Sequence, residues 1–146
     1  MNSFFKNKKI VVTGGTGLIG SKICNKLSEY NSDIISVSID SPDRVNKVLN
    51  NPKIHKNIDL RNHSECNFLF KDADIVINLM GIRESTQLGV KKSATAMSAF
   101  LICNTNIIQS ACLNKVKNYL FCGSINQYPP LAIRKENDVW NGLPAA

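Results

Sequence analysis

The chain has 146 residues with a formal net charge of +7, and 43% of them are hydrophobic. This length predicts a single domain, residues 1–146, that buries a sizeable core. Its lysines are spread along the chain rather than clustered among aromatic residues, and no apolar run is expected to span a bilayer, so neither nucleic acid nor a membrane is expected as a partner. We interpret the basic balance as a solvated surface, with attraction of anionic substrates such as nucleotide sugars as the alternative.

Cysteine usage indicates a reducing compartment. The five cysteines show no C-x-x-C pair or metal-ligand spacing and fall mostly at apolar positions, namely Cys24, Cys66, Cys103, Cys112 and Cys122. Free cysteines at such positions behave as small hydrophobic residues. The start, Met1–Lys6, is too short and polar for a signal peptide. We therefore expect a cytoplasmic protein without a metal site.

The predicted elements alternate between strand and helix. Apolar, β-branched runs indicate strands, and longer runs of helical periodicity indicate helices. In chain order they are a strand over 9–13, a helix over 17–30, a strand over 34–39, a short helix over 42–49, a strand over 53–58, a helix over 63–70, a strand over 73–79, a polar loop over 83–92, a helix over 94–114 and a strand over 118–124. This alternation predicts an α/β fold with a Rossmann-type doubly wound parallel sheet of about five strands. Residues 125–146 are predicted to be irregular.

A glycine-rich turn joins the first predicted strand to the first helix. Gly15–Gly20 fits G-x-G-x-x-G, and Gly14, Gly17 and Gly20 fit G-x-x-G-x-x-G. Glycines at this junction allow a tight turn, close approach of the backbone to a pyrophosphate, and close packing of the helix on the strand. The N–H groups at the helix start then hold the phosphates. The residues predicted to bind a dinucleotide here are Gly14, Gly15, Thr16, Gly17, Leu18, Ile19 and Gly20.

An acidic residue closes the second predicted strand. Asp40 lies about 20 residues beyond the last fingerprint glycine, where a carboxylate accepts hydrogen bonds from the ribose hydroxyls of NAD. The alternative is that Asp40 caps the helix that begins after it. Arg44 lies one turn further on and could face the 2′-phosphate of NADP. NAD is therefore the predicted cofactor, and NADP is the alternative.

Further candidate residues follow the other strands, at the carboxyl edge that forms the ligand crevice of such a sheet. They are Asp59, Leu60, Leu79, Met80, Gly81 and Ser124. Asp59 and Leu60 could flank an adenine ring, or they could be a helix cap and a core residue. The backbone at Met80 and Gly81 would lie against the cofactor, with an ordinary turn at Gly81 as the alternative.

Several motifs of this chain recur in the order and spacing of one family. They are Thr13–Gly20, Asp59–Leu60, Asp74–Leu79, Asn104–Ala111 and Gly123–Ser124. Together they resemble the extended short-chain dehydrogenases/reductases, the NAD-dependent epimerase/dehydratase family that acts on nucleotide sugars. Gly123–Pro129, with Glu136–Trp140, looks most like the GDP-fucose synthase type of branch.

The resemblance implies a catalytic role for Ser124. In the family, a serine here hydrogen-bonds the reacting sugar oxygen and a Tyr-x-x-x-Lys pair completes the acid–base machinery. The alternative is a strand-end serine that satisfies the backbone. No tyrosine of this chain precedes a lysine by four positions, and Asn126 stands where the GDP-fucose synthase branch carries a catalytic cysteine. The later strands and the substrate domain of the family are expected to be missing.

Three alternatives are therefore expected. The first is the NAD(P)-binding portion of a nucleotide-sugar epimerase, dehydratase or reductase, inactive without the Tyr/Lys pair and acting on a nucleotide sugar only if a second half completes it. The second is a non-catalytic dinucleotide-binding module, such as a sensor or scaffold. A third alternative is a fragment whose missing half comes from an adjacent gene or another chain, with which an uncovered sheet edge would favour association. A homo-oligomer is possible as well.

Overall fold

A computed structural model describes residues 2–81, 86–124, 127–131 and 133–143 of the chain. The strands are β1 (Lys9–Thr13), β2 (Asp33–Ser38), β3 (His55–Asn57), β4 (Ile75–Asn78) and β5 (Asn118–Phe121). The α-helices are α1 (Asn2–Phe5), α2 (Leu18–Leu27), α3 (Pro42–Val48), α4 (His63–Leu69) and α5 (Thr86–Leu113). Short 3₁₀ helices cover Ser28–Tyr30, Pro52–Ile54 and Glu136–Trp140.

The five strands form one parallel sheet in the order β3-β2-β1-β4-β5. Val11 in the central strand β1 pairs with Ile35 of β2 on one side and with Val76 of β4 on the other. Every residue of β4 is buried, as expected for a strand covered by helices on both faces. The predicted α/β fold with a Rossmann-type doubly wound parallel sheet is confirmed.

The core lies on both faces of the sheet because successive strand residues point to opposite sides. On one face, Ile10, Val12 and Ile77 pack with residues of α2 and α3. On the other face, Val11 and Val76 pack with residues of α4 and α5. These helices fix the positions of the strand ends that form the crevice.

The predicted boundaries differ from the structure mainly before α5. The loop expected over 83–92 is wrong for residues 86–92, which belong to the helix Thr86–Leu113, whereas residues 82–85 lie outside the described residues. The interior Gly89 destabilises this helix by only about 1 kcal/mol relative to alanine. Propagation of a long helix offsets that amount. The segment expected to be irregular also contains a 3₁₀ helix over Glu136–Trp140.

Several large apolar side chains of α5 are exposed, namely Met97, Leu101, Ile102, Ile108 and Leu113. The sequence was expected to contain no apolar run that could span a bilayer. That expectation was wrong, because Ala94–Leu113 is long and apolar enough to do so, judged by length and composition only. The same test is passed by core helices of globular domains, and 28% of this stretch is buried. Cys103, Ile107 and Ala111 pack into the core on one side of the helix.

Candidate active site: the crevice at the carboxyl edge of the sheet

The turn after β1 is tight enough to require glycine at two positions. Gly14 has φ +68°, and a Cβ there would lie 2.6 Å from the Leu79 carbonyl oxygen. A Cβ at Gly20 would lie 2.2 Å from the Gly14 carbonyl oxygen, so α2 could not pack so closely on the turn. The Gly14 N–H donates to the Val37 carbonyl at 2.8 Å, and the Gly17 N–H donates to the Gly14 carbonyl at 2.9 Å. The turn is therefore fixed before any ligand binds.

The start of α2 faces the crevice without a side-chain cap. Gly17 is the N-cap residue and has no side-chain atom to accept from the first N–H groups of the helix. The first turn carries no acidic residue. Helix N-termini with uncapped N–H groups and the positive end of the helix dipole favour anions, above all phosphates.

A cleft of about 580 Å³ opens over this turn, between the ends of β1, β4 and β5. The predicted site residues that line it are Gly14, Gly17, Leu18, Ile19, Gly20, Leu79, Met80, Gly81 and Ser124. Its other lining residues are Phe100, Phe121, Cys122, Gly123 and Gln127. Sequence reasoning missed this second group. The strand leading to Ser124 could have indicated Phe121 to Gly123, whereas Phe100 reaches the cleft only through the placement of α5.

Asp40 belongs to a small polar cluster beside the turn. Its Oδ2 accepts from the Thr16 hydroxyl and, at 3.0 Å, from Arg44 Nε. Arg44 Nη2 also donates to the Thr16 carbonyl at 3.2 Å, and the Asp40 N–H donates to the Ser38 hydroxyl. Asp40 and Arg44 thus form an ion pair, and the buried Thr16 ties it to the glycine turn. Ser41, not Asp40, is the N-cap of α3, so the capping alternative is wrong.

A second, smaller cavity of about 210 Å³ adjoins Asp40. His55 and Asn57 of β3 line it together with the start of α3. His55 shares a hydrogen bond of 3.2 Å between its Nδ1 and the Ser36 hydroxyl. Burial lowers the pKa of His55, and the nearby Asp40 carboxylate acts in the opposite direction. This imidazole is therefore less basic than an exposed one.

The structure separates Gly15, Asp59 and Leu60 from the large cleft. A Cβ at Gly15 would meet the Ser36 hydroxyl, so this glycine packs on β2. The Asp59 carboxylate accepts from Arg61, and these hydrogen bonds lower the pKa of Asp59 below its ordinary value. Asn62 rather than Asp59 caps α4. Leu60 lies in the core, as the alternative interpretation predicted.

Ser124 lines the cleft, and the sequence holds no Tyr-x-x-x-Lys pair that could act with it. Tyr119 is the tyrosine of β5, and its hydroxyl accepts from the Asn78 side chain. Burial raises the pKa of Tyr119, which makes this phenol a weaker acid. No cluster of three His, Cys, Asp or Glu side chains suited to a metal occurs among the described residues. Asn126, which stands for a cysteine of the GDP-fucose synthase branch, lies outside them.

Comparison with known families agrees with this geometry. The family model described as the NAD dependent epimerase/dehydratase family matches residues 10–142. The chain belongs to this family. A search of curated proteins found no match.

Solved structures of epimerases share the fold at low sequence identity. A UDP-N-acetylglucosamine 4-epimerase from Methanobrevibacter ruminantium M1 superposes with a TM-score of 0.75 at 24% identity, over 91% of this chain and 44% of that one. The epimerase Mth375 from Methanothermobacter thermautotrophicus gives 0.78 at 18% identity, over 94% and 42%. A UDP-glucose 4-epimerase from Bifidobacterium longum, in complex with NAD+ and UDP, gives 0.72 at 23% identity, over 88% and 41%. The chain therefore spans less than half the length of these structures.

Proposed function

We propose that this chain is the dinucleotide-binding portion of a nucleotide-sugar epimerase, dehydratase or reductase, and that its cofactor is NAD. The observation that carries the proposal is the uncapped start of α2, held beside a cleft by glycines that no larger residue could replace. Residues of this kind fit a pyrophosphate, because backbone N–H groups can approach its oxygens closely. The complex of the Bifidobacterium longum epimerase with NAD+ supports the same cofactor.

The position of Asp40 supports NAD over NADP. Asp40 follows β2, on the opposite side of β1 from β4, so an extended dinucleotide would lie across the ends of these strands with its adenosine half near Asp40. Both the Thr16 and the Arg44 bonds end on Oδ2 of Asp40, and Oδ1 is the proposed acceptor for a ribose hydroxyl. A 2′-phosphate would be repelled by this carboxylate, and Arg44 could pair with the phosphate only by giving up its bond to Asp40.

Ser124 is the proposed contact for a sugar hydroxyl or carbonyl, because it lines the cleft on the side of β5. When bound, the nicotinamide supplies hydride transfer. The protein would orient the sugar oxygen through the Ser124 hydroxyl, but proton transfer needs a second group of suitable pKa. The 146 residues contain no Tyr-x-x-x-Lys, so we expect them to bind NAD with little or no turnover by themselves. The GDP-fucose synthase type of branch remains the proposed relationship within the family.

A non-catalytic module that binds a dinucleotide is the second candidate. The cleft would serve such a module equally well, because it can hold a dinucleotide without any acid–base pair. We further propose that residues 1–146 form one domain in the cytoplasm, with no nucleic-acid or membrane partner, and that the uncovered edge of β5 allows a homo-oligomer.

Isothermal titration of the 146-residue protein with NAD and NADP tests the cofactor. We expect saturable NAD binding, weaker NADP binding and a rise in melting temperature with NAD concentration. A protein that is folded but binds neither dinucleotide would overturn the proposal. Incubation with NAD and UDP- or GDP-sugars, followed by product analysis, separates the two candidates. Epimerised or dehydrated sugar would exclude the non-catalytic module.

A further inference from the structure

A fully buried asparagine at the end of β4 joins the parts of the fold that line one side of the cleft. Asn78 is 0% exposed, and its side-chain oxygen accepts from the Thr13 hydroxyl at 2.7 Å and from the Met80 N–H at 3.1 Å. Its side-chain nitrogen donates to Asn104 Oδ1 at 2.8 Å and to the Tyr119 hydroxyl at 2.9 Å. An amide side chain has two acceptor positions and two donors, so this one uses all four.

The second amide of this network extends it to the wall of the cleft. Asn104 Nδ2 donates to the Phe100 carbonyl at 2.9 Å and contacts Met80 Sδ at 3.7 Å. Met80 and Phe100 both line the cleft. Asn78 therefore holds Met80 directly, by accepting from the Met80 N–H, and it holds Phe100 indirectly, through Asn104.

The network lies on one side of the proposed ligand. Met80 follows β4, whereas Asp40 follows β2, and β1 with its glycine turn lies between them. In the proposed binding mode, the glycine turn binds the phosphates and Asp40 binds the adenosine half of the dinucleotide. Met80 and Phe100 then face the remaining part, which is the nicotinamide riboside. A shift of this wall would leave the adenosine and phosphate contacts in place.

We infer that Asn78 is a positioning residue for the nicotinamide half of the dinucleotide, acting through the Met80 turn and through Asn104 on α5. This inference rests on the proposed function. A buried polar network fixes one arrangement because any other leaves donors or acceptors unpaired. An apolar side chain of the same shape could fill the space of the Asn78 side chain, but it could not accept the hydrogen bond that holds the Met80 N–H.

The test compares NAD with ADP, which lacks the nicotinamide riboside, on Asn78→Leu. Leucine has nearly the same shape as asparagine, and all four hydrogen bonds are lost. We expect NAD affinity to fall about tenfold and ADP affinity to change less than twofold, measured by titration at fixed ionic strength. Asn104→Leu, made in parallel, keeps the Met80 N–H bond to Asn78 and should shift the same ratio by a smaller factor. It also keeps the inference testable if Asn78→Leu does not fold.

Asn25→Leu is the matched control. Asn25 also uses both ends of its amide, accepting from the Asn50 N–H at 2.9 Å and donating to the Val48 carbonyl at 3.0 Å, but it does not line the cleft. It should lower the melting temperature without changing the NAD/ADP affinity ratio. Equal losses of NAD and ADP affinity in Asn78→Leu, or no loss of either, would overturn the inference. If the unmutated protein binds neither ligand, the proposed function fails first.

Discussion

The substitution Gly17→Val should abolish dinucleotide binding while preserving the fold. Gly17 has φ −70° and ψ 176°, a conformation that valine adopts readily. A Cβ at this position has one neighbour within 4 Å, the Gly14 carbonyl oxygen at 3.1 Å, so only a small local shift is needed. We therefore expect the free energy of unfolding to change by about 1 kcal/mol or less.

The effect on binding should be much larger, because the valine side chain would enter the space in front of the first N–H groups of α2. Hydrogen bonds to a charged phosphate contribute about 1.5–3 kcal/mol each. Loss of two of them weakens binding by about 3 kcal/mol or more, which raises Kd by a factor of roughly 100 or greater.

Titration calorimetry with NAD, together with thermal unfolding, measures both quantities. Ser41→Val is the matched control, because Ser41 is the N-cap of α3, has an extended backbone and makes no capping bond. It should bind NAD like the unmutated protein. Gly20→Ala should instead lose stability, since its Cβ would lie 2.2 Å from the Gly14 carbonyl oxygen. If Gly17→Val is folded and binds NAD with unchanged affinity, the pyrophosphate does not lie at this turn.

The charges and thiols of the structure lead to three further predictions. Asp40→Ala should weaken NAD more than NADP in parallel titrations, because it removes the proposed ribose acceptor and a negative charge; equal losses would contradict that assignment. The pKa of Asp59 is lowered in the folded protein, so this carboxylate contributes stability above a pH of about 4 that is lost as the pH falls through the lowered pKa. This partly exposed carboxylate should contribute about 0.5 kcal/mol or less to the free energy of unfolding. Melting temperatures of Asp59→Asn, measured against pH, should therefore lack the corresponding loss of stability at acidic pH. In thiol labelling at pH 8, Cys112 and Cys122 should react quickly because they are exposed, whereas burial raises the pKa of Cys24 to about 11 and should keep it unreactive. NAD should protect Cys122, which lines the cleft, and labelling of Cys122 at the same rate with saturating NAD would place the ligand elsewhere.

The sheet could be predicted from the sequence because its central strands are determined by local pattern. Residues 10–12 and 75–77 are continuous apolar, β-branched runs, which are typical of strands buried on both faces. The glycine turn was equally predictable, since its spacing follows from one strand-to-helix junction. The beginning of α5 was not, because the residues from Thr86 to Lys92 have no strong helix signal and extend a helix whose stability comes from its later turns.

The contacts of the candidate site required the fold itself. Asp40 could be placed at the carboxyl edge of the sheet from its position after β2, but nothing in the local sequence predicted its bond to Thr16, which is 24 residues earlier. The same holds for Asn78 and Asn104, which are 26 residues apart and belong to a strand and a helix. Polar side chains that pair across elements leave no periodic signal, and here they carry the geometry of the cleft.

Binding and chemistry are separable in this chain because they depend on different residues. The glycine turn, Asp40 and the ends of β4 and β5 are proposed to hold a dinucleotide by backbone geometry and charge alone. Sugar chemistry needs, in addition, a group that carries a proton within hydrogen-bond reach of the reacting oxygen. Ser124 can orient that oxygen, but an ordinary hydroxyl is a poor acid and a poor base near neutral pH. Turnover by these 146 residues would therefore require another side chain of the cleft, and Cys122 is a thiol that lines it. Loss of such turnover in Cys122→Ser, with NAD binding retained, would identify that thiol as the proton carrier.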